Sequence, residues 1–122
     1  MQPHSLLSAD MLLKDNRVES FRLELKTAWD ERTKSAILKT VCAFANDLHN
    51  QRFGYIVLGV AEEGGKAVLP PVGLPAESLE LVQKEILGHI SKWVTPDYVP
   101  GIFTDQVDGR DVLVIRCPTG PN

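Results

Sequence analysis

The sequence predicts an α+β sandwich: a mixed sheet packed against two helices, in the order β-α-β-(β)-α-β-β. Three observations carry this. Apolar and charged residues alternate with period two along Phe21-Arg22-Leu23-Glu24-Leu25-Lys26. Apolar stripes of helical period run through residues 33–49 and 76–93, and an Asp-Gly turn joins two apolar-rich segments near the C-terminal end.

Residues 1–17 read as a lead-in, with a short helix expected from Ser8, an acceptable N-cap before Met11, Leu12 and Leu13. The first strand follows as a half-buried one, its Arg22/Glu24/Lys26 face expected to look away from the core. Between Thr33 and His49 the positions Ile37, Val41, Phe44, Ala45 and Leu48 form one helical stripe, and Asn46 suits the left-handed conformation of a helix end. Gly54 and Tyr55 to Val60 are apolar on both faces, as in a central strand covered on both sides or buried at an interface. Gly59 marks a close approach of backbone or ligand at the strand end. Glu62-Glu63-Gly64-Gly65 is a turn, and Ala67 to Leu69 returns as a short strand that Pro70-Pro71 stops. Leu79, Val82, Ile86, Ile90 and Trp93 line the second helix, Ala76–Trp93, which Thr95-Pro96 ends. The last two strands, Gly101–Val107 and Asp111–Cys117, meet at Asp108-Gly109, a dipeptide suited to the positive φ angles of a tight hairpin. Residues 118–122 are a Pro/Gly stretch that reads as the start of a linker to downstream domains.

Composition narrows the function classes. The 122 residues suit one domain, and 43% hydrophobic with 24% charged residues exclude a disordered or fibrous chain. A net charge of −3 argues against a dedicated non-specific nucleic-acid binder. The charge is uneven, however: seven of the 13 basic residues fall within residues 1–40 beside only six of the 16 acids. The apolar runs are shorter than the ~20 residues of a membrane helix, and the first residues lack a signal-peptide pattern. A cytoplasmic setting with Cys42 and Cys117 as reduced thiols is therefore expected.

Phosphate loops, zinc-type Cys/His spacings and a GxSxG elbow are all missing. His4, His49 and His89 are scattered, and surface or helix-edge positions are expected for them. What remains is a set of carboxylates. Glu19 and Glu24 bracket the first strand with Lys26 just beyond, and Glu62 or Glu63 follows the Tyr55–Val60 strand. Carboxylates meeting at adjacent strand ends can hold Mg²⁺ or Mn²⁺, and a nearby Lys can stabilise charge building on a phosphate. The plainer explanation is a solvated face on an amphipathic strand and a solvated turn.

Three blocks in order, Val18-Glu19-Ser20-Phe21-Arg22-Leu23-Glu24-Leu25-Lys26, Val41-Cys42-Ala43-Phe44-Ala45-Asn46-Asp47 and Tyr55-Ile56-Val57-Leu58-Gly59-Val60, resemble the Schlafen-type AlbA domain over residues 18–117. The resemblance implies an Alba-like two-layer sandwich. It also implies a DNA-binding module of bacterial proteins described as transcriptional regulators or ATP-binding proteins, often ahead of an ATPase-like domain and a winged helix. In the animal relatives, acids of these blocks form a metal-dependent nuclease site acting on RNA. The matching positions here are Glu19, Glu24 and Glu62, with Lys26 beside them, as catalytic and Mg²⁺- or Mn²⁺-binding residues. Ala61 stands where a second acid is common, Glu62 replaces an Asp, and Arg52-Phe53-Gly54 replaces a strand-opening Gly-Gly.

The leading expectation is thus a nucleic-acid-associated regulatory module of a larger protein. Its basic candidates are Lys14, Arg17, Arg22, Lys26, Arg32, Lys34 and Lys39, and Trp29 is a base-stacking candidate if exposed. A metal-dependent nuclease on RNA or single-stranded DNA is the alternative. Glu19, Glu24 and Glu62 are expected to lie on one side of the sheet, as that site needs, and little or no cleavage is expected of the isolated chain. A third reading is an interaction module or homodimer, in which Tyr55–Val60 and the last hairpin pair as sheet edges.

Overall fold

The structure is a computed structural model, and it describes residues 8–14, 22–45, 54–93, 98 and 100–118. The chain runs α1 (Ala9–Lys14), β1 (Arg22–Lys26), α2 (Lys34–Ala45), β2 (Gly54–Leu58), β3 (Glu62–Glu63), β4 (Lys66–Ala67), α3 (Leu79–Trp93), β5 (Gly101–Val107) and β6 (Arg110–Cys117), with a 3₁₀ turn at Ala76–Ser78 before α3. The main sheet has the order β1-β2-β6-β5. β1 and β2 are parallel, joined across α2, whereas β2–β6 and β6–β5 are antiparallel. The β5–β6 hairpin turns at Asp108 (φ 52°) and Gly109 (φ 77°), the paired positive φ values of a type I′ turn.

α2 and α3 cover one face. Ile37, Val41, Phe44, Val82, Ile86 and Ile90 close over Ile56, Leu58, Leu113 and Ile115. The opposite face is also closed: Ala9 and Leu12 of α1 pack with Leu25, Tyr55, Val57, Val107, Val112 and Val114. Every residue of β2 is buried as a result, which explains why its sequence shows no alternation. Ser8 caps α1, its Oγ accepting the Met11 N–H at 3.2 Å, and Asp105 Oδ2 on β5 accepts the Ala9 N–H at 2.8 Å.

Two expectations change. β2 has a hydrogen-bonded neighbour on each side, so the Tyr55–Val60 segment cannot offer a sheet edge; β1 and β5 are the edges. The Arg22/Glu24/Lys26 face does not look away from the helices either. Arg22, Glu24 and Lys26 pair in register with Gly54, Ile56 and Leu58. Cross-strand partners share a face, and Ile56 and Leu58 belong to the helix-covered one. Charge is tolerated there because β1 is the rim of the sheet, where Glu24 and Lys26 are half-buried and Arg22 is exposed.

Gly59 (φ 98°) is needed for backbone. A Cβ there would lie 3.3 Å from the Gly73 carbonyl carbon and 3.4 Å from Asp111 O. Asn46 and the side chain of Trp93 lie outside the described residues.

Candidate nucleic-acid interface

α2 is set by its first turn. Asp30 Oδ1 accepts the Arg32 and Thr33 N–H groups at 2.9 and 3.0 Å, and Thr33 Oγ1 returns the bond by accepting the Asp30 N–H at 2.9 Å. This reciprocal cap fixes where the basic residues of α2 emerge. Arg32 and Lys39 are exposed, and among the described residues neither has a carboxylate partner. Lys34 is engaged: its Nζ lies 3.3 Å from Glu31, 3.9 Å from Glu85 of α3, and 5.6 Å from the centre of the Trp29 ring.

Trp29 is half-buried and clamped. Its Nε1 donates to Glu85 Oε1 at 2.8 Å, and the His89 ring meets it edge-on at 5.8 Å and 64°. It braces α2 against α3 and does not stand free for a base. Between the two helices opens a cavity of about 530 Å³, lined by Glu31 before α2, by Lys34, Ser35, Leu38, Lys39 and Cys42 of α2, and from α3 by His89. His89 makes no hydrogen bond among the described residues, and its Nδ1 is buried without a partner. Sequence reasoning missed this groove. The available signal was the i, i+3, i+4, i+7 spacing of Ser35, Leu38, Lys39 and Cys42 beside the core stripe.

The basic candidates separate by layer. Arg22 and Lys26 of β1 lie on the α2 side of the sheet with Arg32, Lys34 and Lys39. Arg22 also sits 4.9 Å above the Phe44 ring centre. Lys14 is on α1, across the sheet, where Asp108 at 2.9 Å and Asp10 at 3.2 Å hold it and raise its pKa. Arg17 lies outside the described residues.

The acids are placed as follows. Glu24 is half-buried on the α2 side of β1. Glu62 is exposed on the β3–β4 hairpin, whose Ala67 packs into the opposite, α1-side cluster. Glu19 lies outside the described residues. Among the described residues no group of three or more His, Cys, Asp or Glu side chains is placed to hold a metal ion.

Both cysteines are free thiols, Cys42 half-buried and Cys117 buried. Burial pushes the Cys117 thiol up to about 12, against a smaller opposing pull from its bond to Tyr98. Burial also raises the Tyr98 hydroxyl, which donates to Pro118 O at 2.6 Å. Among the described residues no helix is long and apolar enough to cross a membrane.

No curated protein matches the chain. Among solved structures it resembles the N-terminal domain of a RecG-related protein from Nitrosomonas europaea, whose name places it with ATP-dependent DNA helicases. The likeness has a TM-score of 0.73 at 32% identity and covers 95% of this chain and 76% of that one. The architecture is an Alba-like two-layer sandwich with α1 added on the second face. The family model described as Schlafen, AlbA_2 matches residues 19–122, and the chain belongs to that family.

Proposed function

We propose that this chain is a nucleic-acid-associated regulatory module of a larger protein. The observation that carries this reading is the pair of exposed cations at α2, Arg32 and Lys39, without carboxylate partners among the described residues and with Lys34 between them; Arg22 and Lys26 of β1 lie on the same side of the sheet. Glu24, Asp30, Glu31 and Glu85 share that side, so what a chain of net charge −3 offers a phosphate there is Arg32 and Lys39 rather than a broad positive patch. The family membership and the RecG-related neighbour support the same reading. Phosphate recognition here is electrostatic: Arg32, in the turn before α2, and Lys39, on α2, are exposed and without carboxylate partners among the described residues.

The test is fluorescence anisotropy of labelled DNA and RNA oligomers titrated with the chain across a salt series. Few phosphate contacts are available, so log K should fall against log salt with a slope on the order of −2 to −4. Replacing Arg32, Lys34 and Lys39 together with Ala should abolish binding. Absence of binding to any single- or double-stranded oligomer at ~20 mM salt, where charge contacts are least screened, overturns the proposal.

A further inference from the structure

The groove between α2 and α3 combines features that a phosphate-binding surface alone does not need. Its floor is apolar, made by Leu38 and the half-buried Cys42, and its volume of about 530 Å³ falls in the range of small-molecule pockets. Lys39 stands at its rim. Across from it, His89 presents an imidazole held in place by Trp29, which is itself fixed by Glu85 and lies under Lys34. His89 Nδ1 is buried without a partner, and Nε2 makes no hydrogen bond among the described residues. A flat group entering the groove would therefore meet an oriented ring, a polar nitrogen, an apolar floor and, at the mouth, a cation.

We infer that this groove seats an unstacked nucleobase of a single-stranded nucleic acid whose phosphates lie along Lys39 and Arg32. The inference rests on the nucleic-acid reading above and adds the part of the ligand that is read. Anionic phosphate meets the exposed Arg32 before α2 and Lys39 on it, and the aromatic, hydrogen-bonding base meets the apolar floor and His89. A duplex cannot present such a base without unstacking it, which costs a few kcal/mol. Single strands are therefore the preferred partner. The base is recognised by stacking and one polar contact, so little sequence preference is expected.

The experiment compares three probes of equal length in anisotropy titrations at low salt: a deoxythymidine oligomer, the same backbone with abasic positions throughout, and a duplex. The deoxythymidine strand should bind about tenfold more tightly than the abasic one, the scale of one stacked base. His89→Ala should remove that difference and leave abasic binding unchanged. Ser35→Trp, an exposed position whose new ring would fill the groove, should do the same without disturbing the core. Cys42 supplies a second readout: its modification by a thiol reagent should slow at saturating deoxythymidine oligomer and not at saturating abasic oligomer. Equal affinity for deoxythymidine and abasic strands, or unchanged Cys42 reactivity, overturns the base pocket while the phosphate surface stands. Failure of all three probes to bind overturns the surface and the pocket together.

Discussion

Replacing Gly54 with Ala should cost far more than a single methyl group suggests. Gly54 opens β2, opposite Arg22 on β1, and a Cβ at this position would press on the Cδ2 edge of the Phe44 ring, 2.5 Å from its Cγ and Cε2. Real Cβ atoms do not approach that closely, and Phe44 has no room to retreat, being 8% exposed beneath the Arg22 guanidinium. Either the ring leaves its rotamer or β2 moves away from α2. Overpacking of a core in this way costs about 1–3 kcal/mol, and loss of the Arg22–Phe44 contact adds about 0.5–1 kcal/mol. Urea denaturation should show a lower midpoint at unchanged slope, which separates lost stability from an altered unfolded state. Phe44→Leu removes the obstructing ring, so the double variant should be more stable than the sum of the two single changes by at least about 1 kcal/mol. If Gly54→Ala stays within 0.5 kcal/mol of the parent, or the two changes simply add, the ring does not occupy the glycine's side-chain space and the reasoning fails.

The remaining expectations concern α1 and the buried thiol. Asp105→Ala removes the acceptor of the Ala9 N–H and should cost about 1 kcal/mol, with amide exchange in α1 accelerated; unchanged stability and exchange would mean that α1 is held by Ala9 and Leu12 packing alone. Cys117 keeps its proton in the folded chain up to about 12, against an ordinary 9.0. Between those values the unfolded chain has released a proton that the folded chain retains, so this contribution is intact below pH 9.0 and falls by about 1 kcal/mol per pH unit above it. Cys117→Val should flatten the alkaline limb of a stability–pH curve measured by denaturation, and an identical slope in the variant would refute the assignment; Tyr98, raised by the same burial, leaves a residual slope.

The elements legible in the sequence were those whose signal is local. Asp108-Gly109 dictates its turn through backbone sterics that involve no distant residue, and β2 shows by its unbroken apolar run that both its faces are covered. Ser8 announced α1 in the same way, through a cap that acts within one turn. The charged face of β1 was harder. Period two separates Arg22, Glu24 and Lys26 from Leu23 and Leu25, but it cannot say which set lies under helices when both faces of the sheet are covered. That depends on the parallel β1–β2 pairing and the crossover through α2, which is tertiary information. The groove was illegible for a related reason. Cys42 and His89 belong to different helices, and only the packing of α2 against α3, braced by Trp29 and Glu85, brings them to one cavity. Trp29 is half-buried, and its sequence setting gave no hint that its indole nitrogen ties the loop before α2 to Glu85 of α3.

The alternating charges of β1 have a structural reason to exist apart from any ligand. Among the described strands β1 is an edge, with a hydrogen-bonded neighbour on one side only. Charged side chains at every second position oppose pairing with another chain, because a second strand would have to bring its own charges against them or desolvate them. Arg22 does further structural work over the Phe44 ring, in the space that Gly54 leaves open. The Glu24–Lys26 string is therefore what an exposed sheet edge requires, whether or not anything binds there. Arg32 and Lys39 differ. No sheet edge needs protecting at α2, and the helix is already fixed by the Asp30–Thr33 cap and by its core stripe. Cations left without carboxylate partners among the described residues, beside an apolar groove that no described element fills, have no such internal explanation. For that reason the proposed recognition surface is placed on α2 and its groove rather than on the rim of the sheet.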